Sequence, residues 1–398
     1  MHNHKLTAAI CLALATPSIY ASGFSLIEQS ASGQGLSYAG AAANAEDASV
    51  MWFNAAALTK IEGSQAIGGI HLIVPQSDFT NSGSVPGGVD DNGATNGVVP
   101  NLYWKGDYNG YALGFGINAP FGQKIDYADD WAGRYQALET DLKSVNINAN
   151  IARQINDQVS IGFGLNAQYV NLNMSQFYKA APNLTAKIEA DSWGYGYNLG
   201  LLANLTEQTV LGLSYRSEIT HNAKGSGEFE GVATVGASSD VTLPASAMLS
   251  LSHQANDKIT VLADATWTGW KAYDELVIEF DSLFPDSETN QEFKDSMRYS
   301  LGMMYDLNDQ WTLRTGVALD ETPVPDAEAR SPRTPDSNRT WLSAGFNYKL
   351  NSAMSIDMGY THIIGDKADI NRNDGTTLLK GSYDSTIDII SAQLVWNY

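Results

Sequence analysis

The chain has 398 residues, of which 43% are hydrophobic and only 17% charged, with 23 Lys and Arg against 44 Asp and Glu for a net charge of −21. Such acidity argues against nucleic acid or an anionic lipid surface as a partner. The single cysteine is Cys11. It falls in a segment expected to be removed, so disulfide scaffolds and thiolate metal sites drop out and no cofactor or metal centre is expected.

Residues 1–21 read as a secretory signal. A positive end (His2, His4, Lys5) precedes an apolar run from Leu6 to Ala15, and small Ala21 stands before a cleavage point ahead of Ser22. That run is too short for a membrane-spanning helix, and no later segment approaches the roughly 20 uninterrupted apolar residues such a helix needs. A helical membrane protein is excluded, whereas a barrel is not. Residues 22–60 come next. From Ser22 to Thr59 they are rich in Gly, Ala and Ser and show no sustained alternation, so this segment is predicted to plug a lumen and not to form wall.

From residue 61 to 398 the pattern turns to strands. Val145, Ile147, Ala149 and Ile151 alternate with Asn146, Asn148 and Asn150; Ile161, Phe163 and Leu165 alternate with Gly162, Gly164 and Asn166. Trp193, Tyr195, Tyr197 and Leu199 oppose Gly194, Gly196 and Asn198; Met297, Tyr299, Leu301 and Met303 oppose Arg298, Ser300 and Gly302. Each strand is apolar on one face and polar on the other. A soluble sandwich could hide the apolar face against a second sheet. The final strand, Asp388 to Tyr398, ends on an aromatic, and with the signal it tips the balance to a transmembrane antiparallel β-barrel of about fourteen strands in the bacterial outer membrane.

Short polar turns recur, as in Asn156-Asp157, Asn256-Asp257, Asn308-Asp309 and Asn351-Ser352, and are assigned to the periplasmic rim. Longer excursions are expected at the outer end: Phe177 to Ser192, His221 to Val241, Asp281 to Lys294, Asp320 to Asn338 and Gly365 to Ser382. Their acids are read as solvated loops, with divalent cations bridging them to lipopolysaccharide as the alternative. Trp193, Tyr195, Trp267, Trp311, Trp341 and Trp396 are read as interface girdles.

Several stretches together resemble the FadL-type transporters of long-chain fatty acids and hydrocarbons. They are Ser22-Gly-Phe-Ser-Leu-Ile-Glu-Gln-Ser-Ala-Ser-Gly33, Tyr38-Ala-Gly-Ala-Ala-Ala-Asn-Ala-Glu-Asp-Ala-Ser49, Gly116-Ile-Asn-Ala-Pro-Phe-Gly122, Trp131-Ala-Gly-Arg-Tyr135, Arg314-Thr-Gly-Val-Ala-Leu-Asp320 and Pro335-Asp-Ser-Asn-Arg-Thr-Trp-Leu-Ser-Ala-Gly345. The resemblance implies a fourteen-stranded barrel with an N-terminal hatch, an apolar groove between outer loops, a lumenal pocket gated by the hatch, and lateral exit where the third strand kinks. It implies a passive, non-enzymatic importer working as a monomer among outer-membrane lipids. One departure is Asn54-Ala-Ala-Ala-Leu58, where the family usually has proline at the position of Ala55; its loss frees a backbone dihedral in the hatch.

On this reading Phe24 and Leu26 line the pocket or simply pack within the hatch. Gly114, Gly116 and Pro120 lie on the run Tyr111 to Phe121 and suit a kink or wall gap, although lumen-facing glycines also make room for a plug. Arg134 is the first choice to hold a cargo carboxylate and Lys294 the second, against a structural ion pair with nearby loop acids. Arg314 and Arg216 point inward by alternation and are expected to pair with hatch Glu46 or Asp47; Asn54 belongs to the hatch's end. A general diffusion porin is the alternative function. Whether the cargo is a fatty acid, an alkane or an aromatic hydrocarbon stays open.

Overall fold

The computed structural model describes residues 23–178, 184–281 and 285–398; the signal assigned to residues 1–21, with its cleavage point at Ser22, lies outside the described residues. Fourteen antiparallel passes make one closed wall. They are β1 (Gln65–Asn81), β2 (Gly97–Tyr108), β3 in two pieces (Tyr111–Asn118 and Gly122–Asp126), β4 (Glu139–Gln154), β5 (Val159–Phe177), β6 (Thr185–Asn204) and β7 (Thr209–Arg216, then Ile219–Phe229). The return half comprises β8 (Ala233–Leu243, then Ser246–Asn256), β9 (Ile259–Thr268, then Glu275–Phe280), β10 (Ser287–Asn290, then Ser296–Asp306), β11 (Trp311–Asp320), β12 (Arg339–Lys349), β13 (Met354–Gly365, then Ala368–Asn373) and β14 (Leu378–Asn397). The seam is zipped by β1 against β14 from Gln65↔Asn397 to Asn81↔Gly381, which closes the sheet on itself.

Alternation sorts the two faces. Leu165, Tyr195, Leu301 and Ile390 are exposed on the outside, while Asn148, Asn198, Ser300 and Ser391 are buried within. In a bilayer the outer set meets lipid. The tight turns share one device. Asn156 Oδ1 accepts from the backbone N–H groups of Gln158 and Val159, Asn256 from Lys258 and Ile259, Asn308 from Gln310 and Trp311, and Asn351 from Ala353 and Met354, all at 2.8 to 3.1 Å.

At the opposite end the expected excursions are mostly strand. Phe177 and Thr185 bracket a short connection, and His221 to Val241, expected as a loop, is a hairpin registered from Ile219↔Leu243 to Phe229↔Ala233. Gly365 to Ser382 likewise contains the paired residues Ala368–Asn373. Above the lipid band both faces of a strand can meet water, so the period-two signal fades although the backbone ladder continues. Residues 321–338 are mainly loop, as are the described residues of the Asp281 to Lys294 excursion outside Ser287–Asn290, and 321–338 fold over the outer end: Arg333 donates to the carbonyls of Glu139 (2.7 Å) and Ser175 (3.0 Å), and Tyr127 to that of Pro332 (3.0 Å). Trp341 corrects the girdle assignment, since it is buried on the lumen face next to outward Leu342; Trp193, Tyr195 and Trp396 are exposed.

Most of residues 23–61 are buried against lumen-facing side chains from both halves of the wall. They include α1 (Ala31–Gln34), capped by Ser30, α2 (Val50–Phe53), and a 3₁₀ turn (Ala55–Lys60) capped by Asn54. The wall makes room with glycine. A Cβ on Gly359 would sit 2.8 Å from the Ala31 carbonyl oxygen, and others on Gly316, Gly212 and Gly162 would strike the backbone of Leu36, Ala42 and Ala56. Polar atoms of the segment are met by the wall, for example Ala31 N–H by Gln393 (2.8 Å), Ala42 N–H by Ser250 (3.0 Å) and Asn54 Nδ2 by the Leu201 carbonyl (3.0 Å).

Candidate functional site: a cavity beside a window in the wall

The third pass fails halfway, and its sequence says why. Ala119-Pro120-Phe121 interrupts β3, because Pro120 has no N–H to give to a ladder. Below the break β2 and β3 pair from Tyr108↔Tyr111 up to Leu102↔Ile117. Above it, Gly97 to Asn101 bond to β1, and Gly122–Asp126 bond to β4. The two sides meet again at Ala94↔Ile125, where Asp126 N–H reaches the Gly93 carbonyl at 2.8 Å, and further out at Val89↔Trp131. A window is therefore framed in the wall.

The first described residues stop it. Leu26 N–H donates to the Pro120 carbonyl (2.7 Å), Gly122 N–H donates to the Phe24 carbonyl (3.0 Å), and Ser25 pairs with Phe121 as an isolated antiparallel bridge. From the other flank Ser144 Oγ accepts from Phe121 N–H at 2.9 Å and donates to its carbonyl at 2.5 Å. Gln29 Nε2 reaches the Ala119 carbonyl at 3.0 Å. The N-terminal segment thus substitutes as a strand where β3 withholds one.

Behind this stopper lies a cavity of about 120 Å³. Leu26, Ile27, Trp52, Phe53, Pro120, Phe121, Met248 and Trp341 give it an apolar lining; Arg216, Arg298, Asp320 and Asn198 give it polar points. Arg298 is buried, lies over the Trp341 ring at 4.7 Å and donates through Nη2 to the Ser37 carbonyl at 2.8 Å. Its Nε and Nη1 have no hydrogen-bond partner among the described residues. Glu28, next to the lining residue Ile27, is buried, and burial raises its carboxyl to about 7 despite its backbone hydrogen bond and the pull of Arg298 and Arg339.

The residues singled out from the sequence fall in different places. Leu26 lines the cavity. Phe24 is seated beside it in an aromatic box, 4.8 Å from Trp270 and 5.1 Å from Tyr273 between ring centroids. Pro120 frames the window; a Cβ on Gly114 would meet Leu58 at 2.7 Å and one on Gly116 the Tyr103 ring at 3.0 Å, so both glycines face an occupied lumen. Glu46 pairs with Arg314 at 2.8 Å, and Arg314 also reaches Asp357 at 2.7 Å. Asp47 accepts from Ser32 (2.6 Å) and Gln393 (2.9 Å). Arg216 departs from its expected partners, donating instead to Asn166 and to the Trp52 carbonyl, both at 2.6 Å, with its guanidinium over the Trp52 ring.

Arg134 and Lys294 are not brought to the cavity. Arg134 is half-buried in the outer region, donating to the Gly87 (3.1 Å) and Trp131 (2.9 Å) carbonyls, and Lys294 is exposed. Sequence reasoning passed over Arg298 and Trp341 as site residues. The signal existed, since both occupy the lumen parity of strands whose neighbours Tyr299 and Leu342 point outward.

A closed barrel with an apolar exterior and an occupied lumen is the architecture of an outer-membrane β-barrel. The chain belongs to the outer membrane protein transport family described as OMPP1/FadL/TodX, whose model matches residues 12–397. It is 30% identical over 421 residues to the long-chain fatty acid transport protein of Escherichia coli O157:H7, covering 92% of this chain and 93% of that one. It is 31% identical over 396 residues to the 47 kDa outer membrane protein of Pasteurella multocida (strain Pm70), covering 90% and 91%. In fold it matches a Pseudomonas aeruginosa FadL homologue with a TM-score of 0.89 at 22% identity over 94% and 99% of the two chains. The Pseudomonas putida toluene transporter TodX follows at 0.70, 18% identity, and 95% and 100% coverage.

Proposed function

We propose that this barrel passively imports long-chain fatty acids, that Arg298 receives the carboxylate, and that the cargo leaves sideways through the window framed by Pro120. One observation carries the reading: a buried guanidinium with two donor positions unpartnered among the described residues, in a cavity that sets an apolar wall of Leu26, Trp52, Phe53, Phe121 and Met248 against polar points at Arg216, Asn198 and Asp320, suits an anionic head on a greasy tail. An alkyl chain forfeits roughly 0.8 kcal/mol per methylene re-exposed to water, so an apolar path with a lateral exit into the membrane serves it better than a wet pore.

The cavity volume links binding to opening. At about 120 Å³ it is well below the roughly 300–1,000 Å³ of ordinary ligand sites, so a long chain fits only by pushing lining residues aside. Leu26 and Ile27 are the lining residues continuous with the stopper strand. Cargo that displaces them loosens the Leu26–Pro120 and Phe24–Gly122 bonds, and residues 22–60 act as the hatch. Arg134 and Lys294, at the outer end, would meet a carboxylate on its way in and would not hold it at the cavity. A general diffusion porin is disfavoured by the buried inner segment.

A second reading, an aromatic hydrocarbon as cargo, is favoured by the cavity volume, since an apolar void of about 150 Å³ accepts benzene. Equilibrium binding separates the two. Oleate should bind wild-type protein at least tenfold more tightly than hexadecane or toluene, and Arg298→Met should erase that preference while Arg298→Lys retains part of it. Hydrocarbons binding as well as oleate to the unaltered protein would overturn the carboxylate role.

A further inference from the structure

The lumen face of β3 to β6 carries more carboxamides than the cavity needs. Asn118, Asn146, Asn148, Asn150, Asn166 and Asn198 are all buried and bond one another. Starting at the cavity, Arg216 Nη1 donates to Asn166 Oδ1 at 2.6 Å; Asn146 Nδ2 donates to that same oxygen and to Asn118 Oδ1, both at 3.2 Å; Asn118 Nδ2 reaches the Tyr103 hydroxyl at 3.4 Å. Asn148 ties in through Asn166 (3.0 Å) and Asn198 (3.1 Å), and Asn166 Nδ2 donates to Asn198 Oδ1 at 3.0 Å.

The ends of this chain of bonds are what matter. Arg216 and Asn198 line the cavity, and Asn118 is the last paired residue before β3 breaks at the window. The cavity already touches the window through apolar Pro120 and Phe121, and beside that apolar contact runs a continuous polar line. It is not saturated: Asn146 Oδ1 is buried without a hydrogen-bond partner among the described residues. Taking a carboxamide out of water is unfavourable when a bond is missing, and at Gly162, Gly212, Gly316 and Gly359 the wall makes room for the inner segment with glycine instead. Space-filling alone does not call for asparagine here.

A carboxamide both donates and accepts, so a row of them can pass a head group along while replacing each hydrogen bond it gives up. We propose that this asparagine ladder is the track along which the polar head of the cargo moves from the cavity to the window, favouring amphiphiles over plain hydrocarbons. The inference rests on the lateral route proposed above. It adds a selectivity step that comes after binding at Arg298.

Asn146→Leu and Asn118→Leu test it, with uptake of oleate and of hexadecane measured in an uptake-deficient host and oleate binding measured on purified protein. Loss of one or two hydrogen bonds along the path should lower oleate uptake about tenfold, with hexadecane uptake and oleate binding unchanged. An equal fall for both cargoes, or no fall for either, overturns the proposal. Should the leucine variants not assemble into heat-modifiable barrels, Asn146→Ser decides it: a lower ratio of oleate to hexadecane uptake is expected, and a wild-type ratio overturns the track. Failure of the lateral route would show separately, as transport of both cargoes through a barrel whose window has been crosslinked shut.

Discussion

Substituting Gly359 tests how tightly the inner segment is seated. Gly359 lies on β13 under α1, where a Cβ would stand 2.8 Å from the Ala31 carbonyl oxygen and the Gln34 Cβ, and 2.9 Å from the Gly35 nitrogen. Ordinary contacts begin near 3.4 Å, so alanine asks α1 to retreat by roughly 0.6 Å, and valine adds two further methyl groups in the same direction. β13 cannot give way, because it is laddered on both sides by β12 and β14. The four-residue α1 is the weaker partner. Overpacking of this kind costs about 1–3 kcal/mol, which multiplies the unseated population roughly five- to 150-fold. Planar-bilayer recording reads this directly: Gly359→Val should show frequent ion-conducting openings, Gly359→Ala fewer, and wild type rare ones. A Gly359→Val barrel that folds, stays silent and imports at the wild-type rate would refute the seating described here.

The remaining predictions concern buried charge. Arg314→Met strands Glu46 and Asp357, and removing one partner of such a buried pair destabilises by about 3–5 kcal/mol; the midpoint of denaturant unfolding in detergent should fall and leak current rise, with Arg314→Met/Asp357→Asn recovering part of the loss, and an unchanged midpoint would count against the bridge. Glu28 gives a pH dependence. Its folded carboxyl titrates at about 7 against 4.5 when free, so its contribution is fully present below pH 4.5 and is lost as pH rises through 7, on the order of 3 kcal/mol in all. Openings should therefore become more frequent from pH 5.5 to 8 in wild type and be flat in Glu28→Gln; a flat wild-type profile would remove Glu28 from the account.

Sequence patterning carried the wall because the lipid band enforces it residue by residue. Ile161, Phe163 and Leu165 repeat every second position since each must face hydrocarbon, and Asn156 or Asn308 marks a turn through its own side chain. The outer hairpins were misread for the converse reason, as with His221 to Val241, where no apolar face is required. The cavity was harder still. Arg298, Trp341, Leu26 and Met248 converge from four separate parts of the chain, and nothing local in any of them encodes the meeting. β3 breaks at Pro120, which has no N–H to give a ladder, but that Leu26 and Phe24 bond to the strand at that break follows only from the three-dimensional path of the inner segment. Arg134 was attractive as a guanidinium after the third strand, yet its neighbours in space are carbonyls of Gly87 and Trp131.

A reversible lock across the window tests the lateral route most directly. Ser25 and Phe121 face each other as bridge partners, a separation that suits a disulfide, and Cys11 is the only native cysteine, so Cys11→Ser/Ser25→Cys/Phe121→Cys leaves a single pair able to form one. Oxidised, this variant should import oleate at a small fraction of the rate it shows when reduced, with import restored on reduction. Undiminished import through the oxidised, fully crosslinked barrel would contradict passage through the window.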